Sequence, residues 1–110
     1  MDERCSLECL NLANNEIRSR GATAIFKALE GNSRLNSLSL RSNLVDSDAT
    51  YALQALIVST KTLCKLDLEN NDLCERGGKL IASALVGNSS LLMISLIMNE
   101  FRIKVHIDAI

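Results

Sequence analysis

The sequence predicts an α/β repeat solenoid, with a parallel sheet on its concave side and helices on its convex side. Three observations predict it. Matching residues return at a fixed spacing of 28. Each return opens on leucines spaced for a strand and closes on an asparagine. After each asparagine the apolar period changes from that of a strand to that of a helix.

The asparagines are Asn15, Asn43, Asn71 and Asn99. Three apolar series keep step with them: Leu7, Leu35, Leu63 and Leu91; Leu10, Leu38, Leu66 and Ile94; Leu12, Leu40, Leu68 and Leu96. A fourth follows the asparagine: Ile17, Val45, Leu73 and Phe101. Self-similarity at a fixed period marks a repeat protein. The expected units are 7–34, 35–62 and 63–90, with a partial, divergent fourth over 91–110.

In "LECLNL" the leucines at 10 and 12 are two apart and face one side of a strand. "ANNEI" is a turn, where an asparagine pointing inward can bond the backbone of its own loop and of the next. In "RGATAIFKALEGN", Ala22, Ile25, Ala28 and Leu29 form a helical stripe, and Gly31 stands where a left-handed cap is expected. The third unit repeats this with Leu80, Ile81, Ala84, Leu85 and Gly87. The second keeps Ala52, Leu53, Leu56 and Ile57 but has Ser59 in place of the glycine, with Ser47 or Asp48 as its expected N-cap. Strands joined by helices must run parallel. The fourth unit departs after Phe101, where "FRIKVHIDAI" alternates like a strand. It reads either as a strand-like end piece or as a poor helix.

Composition narrows the function. The chain has 110 residues, 47% hydrophobic, and a net charge of −1. That suffices for one core, and charges of both signs are interspersed. Neither nucleic acid nor an anionic membrane is the expected partner. "LLMISLIM" is too short to span a bilayer. "MDERCS" lacks the features of a secretory signal. Cys5, Cys9, Cys64 and Cys74 form no C-x-x-C pair, and His106 is the one histidine, so the cysteines read as small apolar residues of a reducing compartment. Gly77, Gly78 and Lys79 lack the spacing of a phosphate-binding loop, and no nucleophile–base pair stands out. The chain reads as non-enzymatic and cofactor-free.

The pattern L-x-x-L-x-L-x-x-N-x-L, followed by Gly21, Ala49 or Gly77 and then a helix, resembles the leucine-rich repeat of the ribonuclease-inhibitor type. Similar repeats occur in ribonuclease inhibitor, in the repeat domains of NOD-like receptors and in the activator of the Ran GTPase. The resemblance covers about residues 7–101. It implies a cytoplasmic protein-binding module.

The residues pointing away from the core on the strands are the expected contact surface. They are Asn11 on the first; Ser39 and Arg41 on the second; Lys65, Asp67 and Glu69 on the third; Met93, Ser95 and Ile97 on the fourth. Cys9, Ala13 and Ser37 share that face. Four strands about 4.8 Å apart present a narrow strip, so the expected grip on a protein partner is weak. Regulation or activation of an enzyme such as a small GTPase is the alternative, as is a truncated fragment of a larger repeat receptor or regulator. Leu7, Leu10, Leu12 and Ile25 face no neighbour on one side, which makes self-association through uncapped ends a further expectation.

Overall fold

The computed structural model describes residues 9–32, 34–88, 90–91, 93–96 and 99. Four strands, β1 (Cys9–Asn11), β2 (Ser37–Ser39), β3 (Lys65–Asp67) and β4 (Met93–Ser95), alternate with three helices, α1 (Arg18–Leu29), α2 (Thr50–Ser59) and α3 (Cys74–Leu85). A short 3-10 turn, Ser47–Ala49, leads into α2. The strands form one parallel sheet in the order β1-β2-β3-β4. Leu10 pairs with Leu38, Leu38 with Leu66 and Leu66 with Ile94. The pairing register is therefore the sequence period. The protein is a mixed α/β fold in which α2 packs between α1 and α3.

The core lies between the sheet and the helices. Leu38, Leu40, Leu66 and Leu68 are buried, and Val45, Leu53, Leu56, Ile57, Leu73 and Ile81 close over them. Leu10, Leu12, Ile94 and Leu96 are only partly buried. They sit on β1 and β4, the outer strands of the described sheet. On α1 the buried residues are Ala22 and Phe26. The expected stripe is corrected here: Ala28 is exposed, and Ile25 and Leu29 are half-buried. The Phe26 ring is fully buried in the core and takes the place expected for Ala28.

The loops are joined by a ladder of asparagines. Asn71 accepts from the backbone N–H groups of Asn43 and Val45, both at 3.0 Å. It donates to the carbonyls of Leu40, Leu68 and Glu69. Asn43 repeats this toward the preceding loop, accepting from Asn15 and Ile17 and donating to Leu12 and Arg41. Asn99 accepts from Leu73 and donates to Leu68 and Leu96. Asn43, Asn71 and Asn99 are buried. Asn15 is exposed, and its side-chain amide donates within its own loop, to the carbonyls of Leu12 and Ala13.

The caps differ from expectation. No glycine among the described residues has a positive φ, so Gly31 and Gly87 are not left-handed caps. The residue after each glycine does the work instead. Asn32 Oδ1 accepts from the N–H groups of Arg34 and Leu35, and Asn88 Oδ1 from those of Ser90 and Leu91. Thr60 Oγ1 takes the same role at Thr62 and Leu63. A side-chain oxygen that turns the chain makes an αL residue unnecessary there. At the start of the 3-10 turn the N-cap is Asp46, which accepts from the N–H of Asp48; neither Ser47 nor Asp48 is the cap.

Left-handed backbone is concentrated elsewhere, in the turns after the strands. Asn14, Ser42 and Asn70 all have positive φ, and so do Glu16 and Leu44. Asparagine tolerates this region and leucine does not. The two loops are held in it by the ladder immediately beside them.

Asn71→Ala leaves several buried backbone groups unpaired and should destabilise by on the order of 3 kcal/mol or more. Asn15→Ala should cost well under half as much, which urea denaturation of both variants will measure. Leu44→Gly relieves a left-handed leucine that is half-exposed. It should raise stability by up to about 1 kcal/mol, read as a higher melting temperature.

Candidate functional site

The sheet face turned away from the core is built by the alternate residues of each strand. Parallel register stacks them into rows. Cys9, Ser37, Lys65 and Met93 make one row, and Asn11, Ser39, Asp67 and Ser95 make the next. Arg41 and Glu69 follow just past the strand ends and line up at the same 28-residue spacing.

The central rows are cross-linked. Arg41 Nε lies 3.3 Å from Asp67 Oδ2, and Arg41 Nη2 lies 3.0 Å from Glu69 Oε1. Ser39 Oγ donates to Asp67 Oδ2 at 3.4 Å, and Ser95 Oγ donates to Glu69. Asp67 Oδ1 also accepts from the N–H of Glu69. One guanidinium thus bridges two carboxylates on the neighbouring unit, and two hydroxyls hold those carboxylates from either side. Asn11 stands apart, its Oδ1 turned back to the N–H of Ala13.

Beside this network runs an open groove of about 320 Å³, lined by Ser37, Ser39, Lys65, Asp67, Glu69, Met93 and Ser95 and floored by Leu38 and Leu66. Lys65 and Met93 are exposed there. The structure therefore gathers Ser39, Arg41, Lys65, Asp67, Glu69, Met93 and Ser95 on one surface, with Asn11 at its margin. Ile97 lies outside the described residues. What the sequence did not reveal is the pairing: Arg41 is committed to Asp67 and Glu69, while Lys65 reaches over the groove.

Among the described residues, no group of three or more histidines, cysteines, aspartates or glutamates is placed to hold a metal ion. Cys9 and Cys64 are free thiols. No helix among these residues is long and apolar enough to cross a membrane. Cys5, His106 and the 101–110 tail lie outside the described residues.

On the helical face, Arg76 Nη2 donates to the Tyr51 hydroxyl at 3.1 Å, with its guanidinium carbon 5.5 Å from the ring centroid. The hydrogen bond to Tyr51 raises the guanidinium pKa further, which leaves Arg76 charged at every working pH.

The comparisons with known proteins fit this geometry. No protein-family model matches the chain. A curated relative, the protein phosphatase 1 regulatory subunit 37 homolog of Caenorhabditis elegans, is 35% identical over 81 residues. Those residues are 73% of this chain, which spans 8% of that relative's length. Among solved structures, the tropomodulin C-terminal domain from Caenorhabditis elegans superposes with a TM-score of 0.80 at 15% identity, covering 97% of this chain and 66% of that one.

The Arg41 cluster is partly exposed, with Arg41 at 48% and Asp67 at 31%. Ion pairs in such positions add roughly 0–1 kcal/mol. Arg41→Ala should therefore leave the denaturation midpoint nearly unchanged. The mixed α/β fold with its parallel four-stranded sheet is shared with the tropomodulin domain, and the leucine pattern makes it leucine-rich-repeat-like.

Proposed function

We propose that this chain is a non-enzymatic protein-interaction module, a leucine-rich-repeat solenoid of the ribonuclease-inhibitor type. Its partner lies along the concave strand face, against Ser39, Arg41, Lys65, Asp67, Glu69, Met93 and Ser95, with Asn11 and Ile97 at the margins. The observation that carries this reading is the Arg41–Asp67–Glu69 network. It holds charged side chains in fixed positions beside an open groove. Preorganised side chains bind without the entropy cost of ordering long rotamers. A charge-balanced cluster favours specificity and association rate over raw affinity.

The division into units at 7–34, 35–62, 63–90 and 91–110 belongs to the same reading, as does a cytoplasmic setting. The 28-residue pairing register supports the division. The second reading is regulation of an enzyme. The curated relative favours it, since that protein is named as a homolog of a phosphatase regulatory subunit. On this view the chain positions or restrains an enzyme and does no chemistry itself.

The two readings meet in one experiment. The catalytic subunit of protein phosphatase 1 is titrated with this chain by calorimetry, and with the variant Lys65→Glu/Met93→Ala. The strip is small, so the expected Kd is on the order of micromolar or weaker. The double variant should bind roughly tenfold more weakly with an unchanged melting temperature. Equal binding by the variant would move the site off the strand face. No binding by the parent chain would remove the phosphatase as the partner.

A further inference from the structure

The helical face carries a feature that the strand-face reading does not use. α2 has the sequence TYALQALIVS and no charged residue. α1 contains Arg18, Arg20 and Lys27, and α3 contains Glu75, Arg76 and Lys79. A helix of a small domain keeps its charge on the solvent side, and one that is apolar all round is normally covered. The inner side of α2 is satisfied by the core, through Ala52, Leu53, Leu56 and Ile57. Its outer side holds Tyr51, Ala55 and Val58 at one-turn spacing, all exposed, and Tyr51 and Val58 are each 56% exposed. Val86, the repeat equivalent of Val58 just past α3, is 89% exposed. Together they form an apolar ridge down the middle of the helical face. Apolar residues that line up in this way mark an interaction surface.

Charge says what covers it. The repeat equivalent of Ala55 on α1 is Lys27, and that of Tyr51 on α3 is Lys79. Both lysines are exposed, and Arg76 stacks on the Tyr51 ring. The acids nearby are Glu75, engaged with Lys79 at 3.9 Å, Asp48 before α2, and Glu30 at the Val58 end. The Tyr51–Ala55 half of the ridge is thus flanked by cations on both sides, and the Val58–Val86 half is apolar. The three helices carry five basic residues (Arg18, Arg20, Lys27, Arg76 and Lys79) and one acidic residue (Glu75), so an acidic partner complements this face better than a second copy of the chain does. We propose that this ridge docks an amphipathic helix of another protein, one with an apolar stripe and acidic side chains flanking it at the end that lies over Tyr51.

The chain contains one tyrosine and no tryptophan, so its intrinsic emission reports this ridge alone. The probe is a synthetic helix of about 18 residues without aromatics, with leucines at i, i+4 and i+7 flanked by glutamates. A second peptide has lysine at every glutamate position. The glutamate peptide should change Tyr51 emission saturably and bind roughly tenfold or more tightly than the lysine peptide. Val58→Glu buries a carboxylate in the ridge and should weaken binding by about tenfold or more, with the melting temperature unchanged. Val86→Glu probes the same ridge from α3 and decides the matter if Val58→Glu fails to fold. Absence of saturable binding, equal binding of the two peptides, or unaltered binding by both variants overturns the proposal. So does a dimer in sedimentation that Val86→Glu abolishes, which makes a second copy the occupant. Val86-dependent binding to phosphatidylserine vesicles would make it a membrane surface and overturn it likewise.

Discussion

The rest of the structure depends on one recurring constraint: an asparagine must close each loop against the next. Strands of three residues supply few ladder hydrogen bonds. Most of the backbone groups that leave the sheet would be buried without partners, which is costly. Asn43 and Asn71 answer this with amides that accept from the preceding unit and donate both to it and to their own. Backbone bonds reinforce them, from Leu12 to Ser39, Leu40 to Asp67 and Leu68 to Ser95. A second set works at the opposite end of each strand, where Thr62 and Ser90 donate to the carbonyls of Leu35 and Leu63. Each unit is therefore stapled to its neighbour at both ends, with the leucine core between.

This stapling sets what the two surfaces can do. The strand face is held to the sheet spacing, so its side chains reach those of adjacent units. That is why Arg41 meets Asp67 and Glu69 rather than a residue of its own strand. The helical face is looser in sequence, since a helix needs only its inner stripe to pack. Gly77 marks a tight point between units: a Cβ there would come within 3.0 Å of both Thr50 Oγ1 and Leu73 Cβ. Outward positions are free to vary in charge, and α2 uses that freedom to carry none. One module thus presents a polar, cross-linked face and an apolar, cation-flanked one.

The backbone bears a cost for this regularity. Left-handed non-glycine residues recur after β1, β2 and β3, at Asn14, Ser42 and Asn70. Each costs about 1–2 kcal/mol unless the side chain suits the region. The ladder supplies the compensation, because the strained residue immediately precedes the asparagine that fixes the turn. Strain and staple are consequently one local device, repeated.

The sequence by itself determined the period, and the period carried most of the fold. Leucines two apart before an asparagine, returning every 28 residues, dictated a parallel register and the burial of Leu38, Leu40, Leu66 and Leu68. It also determined which residues share the outer strand face, since alternation leaves no other choice. What it left open was decided between units. Asn15 has the same local sequence logic as Asn71, yet Asn71 is buried, with its side chain bonded to the preceding unit, while Asn15 is exposed. Phe26, not Ala28, entered the core, because burying a ring removes far more apolar surface from water than burying a methyl group. Glycines placed for a cap were passed over once Asn32 and Asn88 turned the chain with their own side chains. The bridge from Arg41 to two carboxylates joins residues 26 and 28 positions apart. Such contacts arise only when the units stack, because the distance between neighbouring strands, not the distance along the chain, brings those groups together.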